Sequence, residues 1–313
     1  MKTIYTHLLE KETREAYVVA RDTRKDVDVD FKSKKQPAKA AAEKAQPQMK
    51  SARADTRALF EYLDAQKLDR PASKLAYKKD GIDKNLVTVL RPYAFETEMF
   101  KVLRGKILHP MAGEPPRSIL ITSAVPGEGK SFVASNLAVT IAQLIKEHVL
   151  LTDCDLRRPC LHKRFGFADV PGLSEYLSNR SDLPSLLLPT MLKKLSLLPG
   201  GRPPHNPSEI LSSPKMEALL RELKTRYDDR YLLIDAPPPA LAPEALAIAN
   251  HVDGIIIVVK HKSTPGDLVA ELAHSLDKSK IIGMVFNQFD LRSSKYYGYA
   301  RYKQYKKYNR ARA

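Results

Sequence analysis

Short apolar runs alternate with helical patterns between residues 118 and 287. Six runs are almost continuously apolar and only four to six residues long, which indicates strands buried on both faces. Segments with apolar residues at helical spacing, such as 208–227 and 266–275, separate most of them. We therefore predict an α/β domain with a mostly parallel sheet and helices on both faces, its strands at 118–123, 149–152, 195–198, 231–234, 254–259 and 281–286.

The chain before residue 90 lacks this alternation. Residues 28–56 are rich in Lys, Ala, Gln and Pro, so burial there cannot offset the entropy lost on ordering. We interpret them as a linker between two short helical stretches, at 1–27 and 57–68. The predicted organisation is therefore a largely flexible N-terminal region at 1–90, an α/β domain at 91–290 and a C-terminal tail at 291–313.

A glycine-rich stretch joins the first predicted strand to a helix. It reads Ala-Val-Pro-Gly-Glu-Gly-Lys-Ser, and the helical pattern that follows places Val133, Leu137, Ile141, Leu144 and Ile145 on one face. Glycines let the loop aim its N–H groups at phosphate oxygens, and the helix N-terminus favours the same anion. This is the context of a phosphate-binding P-loop, although Ala stands at its first position. The expected nucleotide contacts are Val125, Pro126, Gly127, Glu128, Gly129, Lys130, Ser131 and Phe132.

Acidic side chains follow two other predicted strands. Asp153 and Asp155 come after 149–152, and Asp235 comes after 231–234. Ligands bind at the carboxyl ends of parallel strands, so these side chains are expected beside the loop. If the chain stays extended beyond 152, Arg157 faces the loop as well. Together with the loop, the carboxylates predict Mg-nucleotide hydrolysis or phosphoryl transfer. The expected Mg²⁺ ligands are Ser131, Asp153, Asp155 and Asp235, the expected catalytic groups are Lys130 and the same three carboxylates, and Arg157 and Asn287 are further expected nucleotide contacts.

The positive charge of the chain, +16 in total, is concentrated at its end. Residues 292–313 hold eight Lys or Arg and no acid. Such a tail suits nucleic-acid contact by base stacking, or it offers hydroxyls that accept phosphate, and composition alone does not separate the two. The six tyrosines concerned are Tyr296, Tyr297, Tyr299, Tyr302, Tyr305 and Tyr308.

Cysteine content and hydropathy bear on the compartment. Two cysteines near one strand end, Cys154 and Cys160, indicate reduced thiols rather than a disulfide framework. We expect Cys154, which lies between two aspartates, to be a small buried hydrophobe. No run approaches 18 apolar residues and no signal-peptide core is visible, so a soluble cytoplasmic protein is expected.

Other nucleotide-binding classes share parts of this pattern. ATPases of the ParA/MinD type share the fold and most motifs, but they carry a lysine where this chain has Val125. Residues 287–290 have the Asn-x-x-Asp form of guanine readers, but Gln288 stands in place of their lysine. A third alternative is a nucleotide-gated adaptor without kinase activity that binds RNA or anionic membrane through its tail.

The helix predicted between Pro92 and about Ile107 carries charged residues spaced by three. Glu98, Lys101 and Arg104 share one face. From the residues alone this is a solvated face with weak i,i+3 pairs.

These features together resemble the bacterial tyrosine kinases of capsule and exopolysaccharide synthesis, above all the polysaccharide-biosynthesis or exosortase-associated tyrosine autokinases. The resemblance spans about Pro92 to Tyr308. It rests on the glycine loop, on residues 153–159 as the second Walker motif, on residues 234–238 as the third, and on the tyrosine-rich tail.

The resemblance implies a P-loop NTPase fold and an autophosphorylating protein-tyrosine kinase that uses ATP and Mg²⁺. Tail tyrosines would be phosphorylated between neighbours in a ring, and Glu98, Lys101 and Arg104 would contact the next subunit. Lys101 replaces an arginine of the family motif and lacks its bidentate fork. The implied partners are a membrane-bound polysaccharide co-polymerase (chain-length determinant) as activator and a cognate tyrosine phosphatase, with peripheral recruitment to the inner membrane face and no nucleic acid.

Overall fold

The computed structural model of the protein describes residues 81–225 and 230–288. Several sequence predictions lie outside these residues: the two short N-terminal helices, the linker at 28–56 and the six tail tyrosines. Within the described part, no helix is both long and apolar enough to cross a bilayer.

A seven-stranded sheet of order β3-β4-β2-β5-β1-β6-β7 forms the centre of the domain. Neighbouring strands are parallel except for β3, which runs antiparallel to β4. The strands are β1 (Ser118–Ser123), β2 (His148–Asp153), β3 (Leu188–Pro189), β4 (Leu195–Leu198), β5 (Arg230–Asp235), β6 (Gly254–Lys260) and β7 (Ile281–Asn287).

The six predicted strands are confirmed, and four of them extend further than predicted by one residue at one or both ends. The extensions are polar or charged residues such as His148, Asp153 and Lys260, which join the ladder although a count of apolar residues leaves them out. The two-residue edge strand β3 carries no period of its own and was missed.

Nine α-helices lie within the described residues. They are α1 (Val87–Leu90), α2 (Phe95–Leu108), α3 (Lys130–Ala142), α4 (Leu161–Arg164), α5 (Leu173–Leu177), α6 (Pro207–Leu211), α7 (Pro214–Thr225), α8 (Glu244–Ala249) and α9 (Gly266–Ser275).

Two helices differ from their predicted forms. The segment predicted as one helix over 208–227 is two, because Pro214 starts α7 at the position where a missing N–H costs least. The helix after the glycine loop ends at Ala142 and is buried on all sides rather than on one face. Ile145, predicted on that buried face, lies beyond the helix and is 93% exposed.

Two apolar cores cover the two faces of the sheet, as the prediction of a doubly covered sheet requires. Alternate residues of each strand pack in opposite cores. Leu150 and Leu232 pack in one core, and Val149 and Leu233 pack in the other. The predicted mostly parallel sheet with helices on both faces is thereby confirmed. Because β1 lies between β5 and β6, with β2 beyond β5, the loop after β1 and the ends of β5 and β2 are neighbours.

Candidate nucleotide and phosphoryl-transfer site

The glycine loop connects β1 to the N-terminus of α3. Gly127 and Gly129 have φ of 82° and 96°, a region that other residues adopt only with strain. A Cβ at Gly129 would also collide with the side-chain amide of Asn287. The exposed turn at Pro126 and Gly127 is therefore followed by a tightly packed glycine, and Lys130 begins the helix.

Lys130 is paired with a carboxylate across the site. Its Nζ lies 3.1 Å from Oδ2 of Asp155, and both side chains are largely buried. Burial alone would lower the pKa of Lys130, but the charges of Asp235 and Asp155 outweigh it and raise that pKa. The lysine is thus held as a cation at the mouth of the loop.

Asp153 and Asp235 face each other in register at the ends of β2 and β5. Asp153 is fully buried, and its Oδ2 accepts the backbone N–H groups of Cys160 and Leu161 at 2.8 and 3.0 Å. Burial, and then the charge of Asp235, raise the pKa of Asp153 to about 8. Asp153 therefore anchors the start of α4 as well as lying in the acidic cluster.

Asp235 has the least satisfied carboxylate of the cluster. It is fully buried, and neither oxygen has a hydrogen-bond partner of good geometry among the described residues. Burial raises its pKa to about 6, although the charge of Lys130 and the nearby hydroxyl of Ser131 oppose the rise. A buried carboxylate without hydrogen-bond partners is stabilised when a ligand brings a cation or a hydrogen-bond donor to it.

Arg157 does not join this cluster, and the prediction that the chain stays extended from Asp153 to Arg157 is wrong. β2 ends at Asp153 and a turn follows, because the Asp153 carboxylate draws the chain back toward α4. The Arg157 guanidinium bonds instead to Oε1 of Glu244 at 3.2 Å and to the Ser208 hydroxyl at 3.0 Å. It ties the turn to α6 and α8.

Asn287 lies against the glycine loop. Its side-chain amide donates to the carbonyl of Glu128 at 2.7 Å, and its Oδ1 accepts the N–H of Gln288 at 2.9 Å. Gln288 has a φ of 59°, so the chain turns sharply as it leaves β7. The predicted nucleotide contact at Asn287 is thus a buried group at the rim of the site.

The charged face of α2 is only partly solvated. Lys101 and Glu98 form an i,i+3 pair at 2.8 Å, and both side chains are more than a third exposed. Arg104, by contrast, donates to the carbonyl of Thr140 on α3 at 2.7 Å. Two of the three predicted subunit contacts are thus available on the surface, and the third holds α2 on α3.

Both cysteines are free thiols, as expected. Cys154 is fully buried, and burial followed by the charge of Asp153 raises its pKa. Burial and the charge of Asp235 raise the pKa of Cys160 to about 11. Neither thiol is therefore a nucleophile at neutral pH.

Sequence reasoning missed three polar side chains that hold the site together, namely Glu128 as a side-chain acceptor, Thr264 and Glu244. Glu244 lies 87 residues from Arg157 and Thr264 lies 136 residues from Glu128, and neither follows a motif. The position of Glu128 between two glycines was the available signal, but it was interpreted only as a backbone contact to nucleotide and not as a side-chain acceptor.

The carboxylates do not form a metal site made of protein alone. Over residues 81–225 and 230–288, no group of three or more His, Cys, Asp or Glu side chains is arranged to hold a metal ion. Mg²⁺ usually keeps several waters and takes one or two carboxylates plus substrate phosphates, which the unpartnered oxygens of Asp235 and the adjacent Ser131 fit.

Comparison with known proteins places this site in a family. The chain is 34% identical over 220 residues to the tyrosine-protein kinase YwqD of Bacillus subtilis. The matched region covers 70% of this chain and 92% of YwqD. The chain belongs to the bacterial tyrosine kinase family. A family model described as ParA, NUBPL iron-transfer P-loop NTPase, matches residues 115–295, the part that holds the loop and the sheet.

Two further similarities support membership of the tyrosine kinase family. The kinase domain of the Escherichia coli tyrosine kinase ETK superposes with a TM-score of 0.63 at 28% identity, over 76% of this chain and 90% of that domain. The succinoglycan biosynthesis transport protein ExoP of Rhizobium meliloti is 34% identical over 210 residues, which is 66% of this chain. The chain spans only 26% of the length of ExoP.

Proposed function

We propose that this tyrosine kinase transfers the γ-phosphoryl group of ATP, with Mg²⁺, to tyrosines of its own C-terminal segment. One observation carries the proposal: Lys130 of the loop lies 3.1 Å from Asp155, beside two fully buried carboxylates in register. One edge of the sheet thus gathers the three groups that phosphoryl transfer needs. They are a cation that can bind phosphate, carboxylates that can bind a metal ion, and a carboxylate that an incoming hydroxyl can reach.

The loop and the start of α3 are suited to hold the nucleotide. The loop N–H groups and the helix N-terminus present positive potential, and Lys130 adds a full charge. Because Asp155 already neutralises Lys130, incoming phosphates compete with that carboxylate for the ammonium group. Binding is therefore expected to release Asp155 from Lys130.

The residues that would hold Mg²⁺ are Ser131 and Asp235, with Asp153 or Asp155 beside them. When bound, the ion would neutralise charge on the phosphate oxygens. Asp235 suits this role because neither of its buried oxygens has a hydrogen-bond partner of good geometry within the described residues. Asp153 is already committed, since both its oxygens accept backbone N–H groups.

Asp155 is our candidate for the general base. Its side chain is 13% exposed, whereas Asp153 is fully buried, so Asp155 is the more accessible to an incoming tyrosine. A tyrosine hydroxyl has a pKa of about 10 and needs a proton acceptor at neutral pH. Asp155 takes the hydroxyl proton as the phenolate oxygen bonds to the γ-phosphorus. The β,γ-bridging P–O bond breaks with its electrons passing to ADP.

The proposed acceptors are the six tail tyrosines, which the chain carries soon after Gln288. We place the transfer between neighbouring copies in a ring, with the α2 face of Glu98, Lys101 and Arg104 as the contact. The relative ExoP is named for succinoglycan biosynthesis and transport, which supports a role in exopolysaccharide synthesis and export. A membrane-bound co-polymerase as activator, a cognate phosphatase and recruitment to the inner membrane face complete the proposal.

The test is an in vitro phosphorylation assay. Purified full-length protein is incubated with ATP and Mg²⁺, with and without a co-polymerase fragment, and phosphotyrosine is mapped by mass spectrometry. Phosphotyrosine on residues 296–308 is expected, together with its loss in Lys130→Met and in a variant with all six tail tyrosines changed to Phe. ATP hydrolysis without phosphotyrosine would contradict the proposal and favour a ParA/MinD-type ATPase.

A further inference from the structure

Three hydrogen-bond donors converge on the side chain of Glu128, the residue between the two glycines of the loop. Its Oε2 accepts the N–H of Val125 at 2.8 Å. Its Oε1 accepts the N–H of Lys260 at 3.0 Å and the hydroxyl of Thr264. The residue is only 1% exposed, so one buried carboxylate joins the glycine loop to the segment that follows β6.

The backbone of Glu128 is held from the other side. Its carbonyl accepts the side-chain amide of Asn287 at the end of β7. The ends of β6 and β7 are also bonded to each other, because the N–H of His261, just after β6, donates to the carbonyl of Asn287, the last residue of β7, at 2.9 Å. The loop and the ends of both strands therefore form one hydrogen-bonded unit around Glu128.

A carboxylate is an unexpected side chain in a loop that receives a polyanion. Free in the loop, its charge would repel phosphate. Here the charge faces one hydroxyl and two backbone N–H donors, which satisfy it in place of water. The arrangement fixes the loop at the cost of burying one acid.

We propose that Glu128 is a positioning residue whose carboxylate holds the glycine loop against the ends of β6 and β7, so that the loop amides are aimed before nucleotide arrives. A loop that is ordered in advance loses less conformational entropy when its ligand binds, so the affinity for phosphate rises. The inference rests on the proposed binding of nucleotide by this loop. It does not depend on which group finally accepts the phosphoryl group.

The first test is Glu128→Gln. Glutamine keeps the size of the side chain but offers one acceptor oxygen, and its amide must face an N–H or O–H donor. In the full-length protein, Mg-ATP and ADP are titrated calorimetrically at a temperature where circular dichroism shows the variant folded. We expect the Kd for both nucleotides to rise about tenfold, since a buried donor is left unpaired.

A matched pair at Thr264 serves if Glu128→Gln fails to fold. Thr264→Val removes the hydroxyl that donates to Glu128, and Thr264→Ser keeps it. The valine variant is expected to bind Mg-ATP several-fold more weakly than wild type, and the serine variant to restore wild-type affinity. A side chain that serves stability alone would lower the melting temperature without changing the Kd of the folded protein.

Two outcomes overturn the inference: a folded Glu128→Gln variant that binds nucleotide as wild type does, or equal affinities for the two Thr264 variants. A wild-type protein that binds ATP yet forms no phosphotyrosine refutes the proposed kinase reaction and leaves this inference standing. A wild-type protein that binds no nucleotide refutes both.

Discussion

The ammonium group of Lys130 and the carboxylate of Asp155 lie 3.1 Å apart, although 25 residues separate them in the chain. The pair joins the start of α3 to the turn after β2. Each partner compensates the charge of the other, although both side chains are largely buried. Under the proposed function, phosphate binding would exchange one partner of Lys130 for another.

Asp155→Asn is expected to separate nucleotide binding from transfer. Without Mg²⁺, the variant should bind ATP about tenfold more tightly, because a negative charge that competes for Lys130 is gone. Phosphotyrosine formation should fall about 10²–10⁴-fold if Asp155 is the base. Calorimetry in EDTA and a timed phosphorylation assay measure the two effects, and unchanged transfer would remove Asp155 from the chemistry.

Asp235→Asn is expected to stabilise the nucleotide-free protein at pH 8. Asp235 has a folded-state pKa of about 6, above the unfolded value of about 3.9, so ionisation costs the folded state free energy. Wild-type stability therefore falls as pH rises from about 4 through 6, and the variant should lose the part of this slope that Asp235 contributes. The buried Asp153, whose pKa is also raised, keeps a slope of its own. Removing the buried charge should raise the melting temperature by about 2–4 °C.

Thermal melts of both proteins between pH 4 and 8 test this expectation. Phosphoryl transfer should be lost in Asp235→Asn even though the fold is more stable. A variant that melts below the wild-type protein at pH 8 would show that the ionised Asp235 stabilises the fold through Lys130.

Asp253 should show the opposite pH dependence. Its Oδ2 accepts three bonds from Arg117 and Ser118, and its Oδ1 pairs with Lys224 at 2.5 Å. Burial opposes ionisation, but these bonds outweigh it and lower the pKa of Asp253. Its contribution is therefore present above the unfolded pKa of about 3.9 and is lost as pH falls through the lower folded value.

Asp253→Asn should thus cost about 1 kcal/mol of unfolding free energy at pH 7, and the difference from wild type should shrink below about pH 4. Urea denaturation at pH 7 and pH 3.5 measures it. Asp267→Asn, on the exposed surface of α9, is the matched control and should change little at either pH. A constant difference across this range would contradict the lowered pKa.

Substitutions on the charged face of α2 should affect assembly and stability separately. Replacing both Glu98 and Lys101 with Ala should change stability by less than about 0.5 kcal/mol, because their pair is solvated. If this face is a subunit contact, the double variant sediments as a smaller species than wild type. Arg104→Ala should instead destabilise the fold by about 1–2 kcal/mol, because it loses the bond to the Thr140 carbonyl.

Sedimentation velocity and urea denaturation of both variants give the comparison. Arg104→Lys is the control that keeps the charge and one donor. Unchanged sedimentation of the double variant would exclude Glu98 and Lys101 from an assembly contact.

Local pattern was enough to predict the sheet, the glycine loop and the acids at its edge. The strands are recognisable from their apolar composition. Asp153 and Asp235 directly follow two of the predicted strands, and Lys130 lies in the glycine loop after another. Arg157 was misplaced because its partner Glu244 lies 87 residues away, and its direction depends on a turn set by Asp153. Glu128 was read through its backbone alone, since no local pattern shows that Lys260 and Thr264 meet it. The short helix α1 was not predicted, because the short run that contains it shows neither helical nor strand periodicity.

Gln288, at the turn that ends β7, is a fixed point from which the distance to each tail tyrosine is limited by chain length. Tyr296 is eight residues beyond that fixed point and Tyr308 is twenty, so their greatest reaches are about 28 and 70 Å. Because the Asn287 side chain attaches this point to the glycine loop of the same subunit, chain length limits how far each proposed acceptor can lie from that loop. If the tail tyrosines are the acceptors, a site more than about 28 Å from Gln288 is beyond Tyr296 and can be served only by tyrosines farther along the chain.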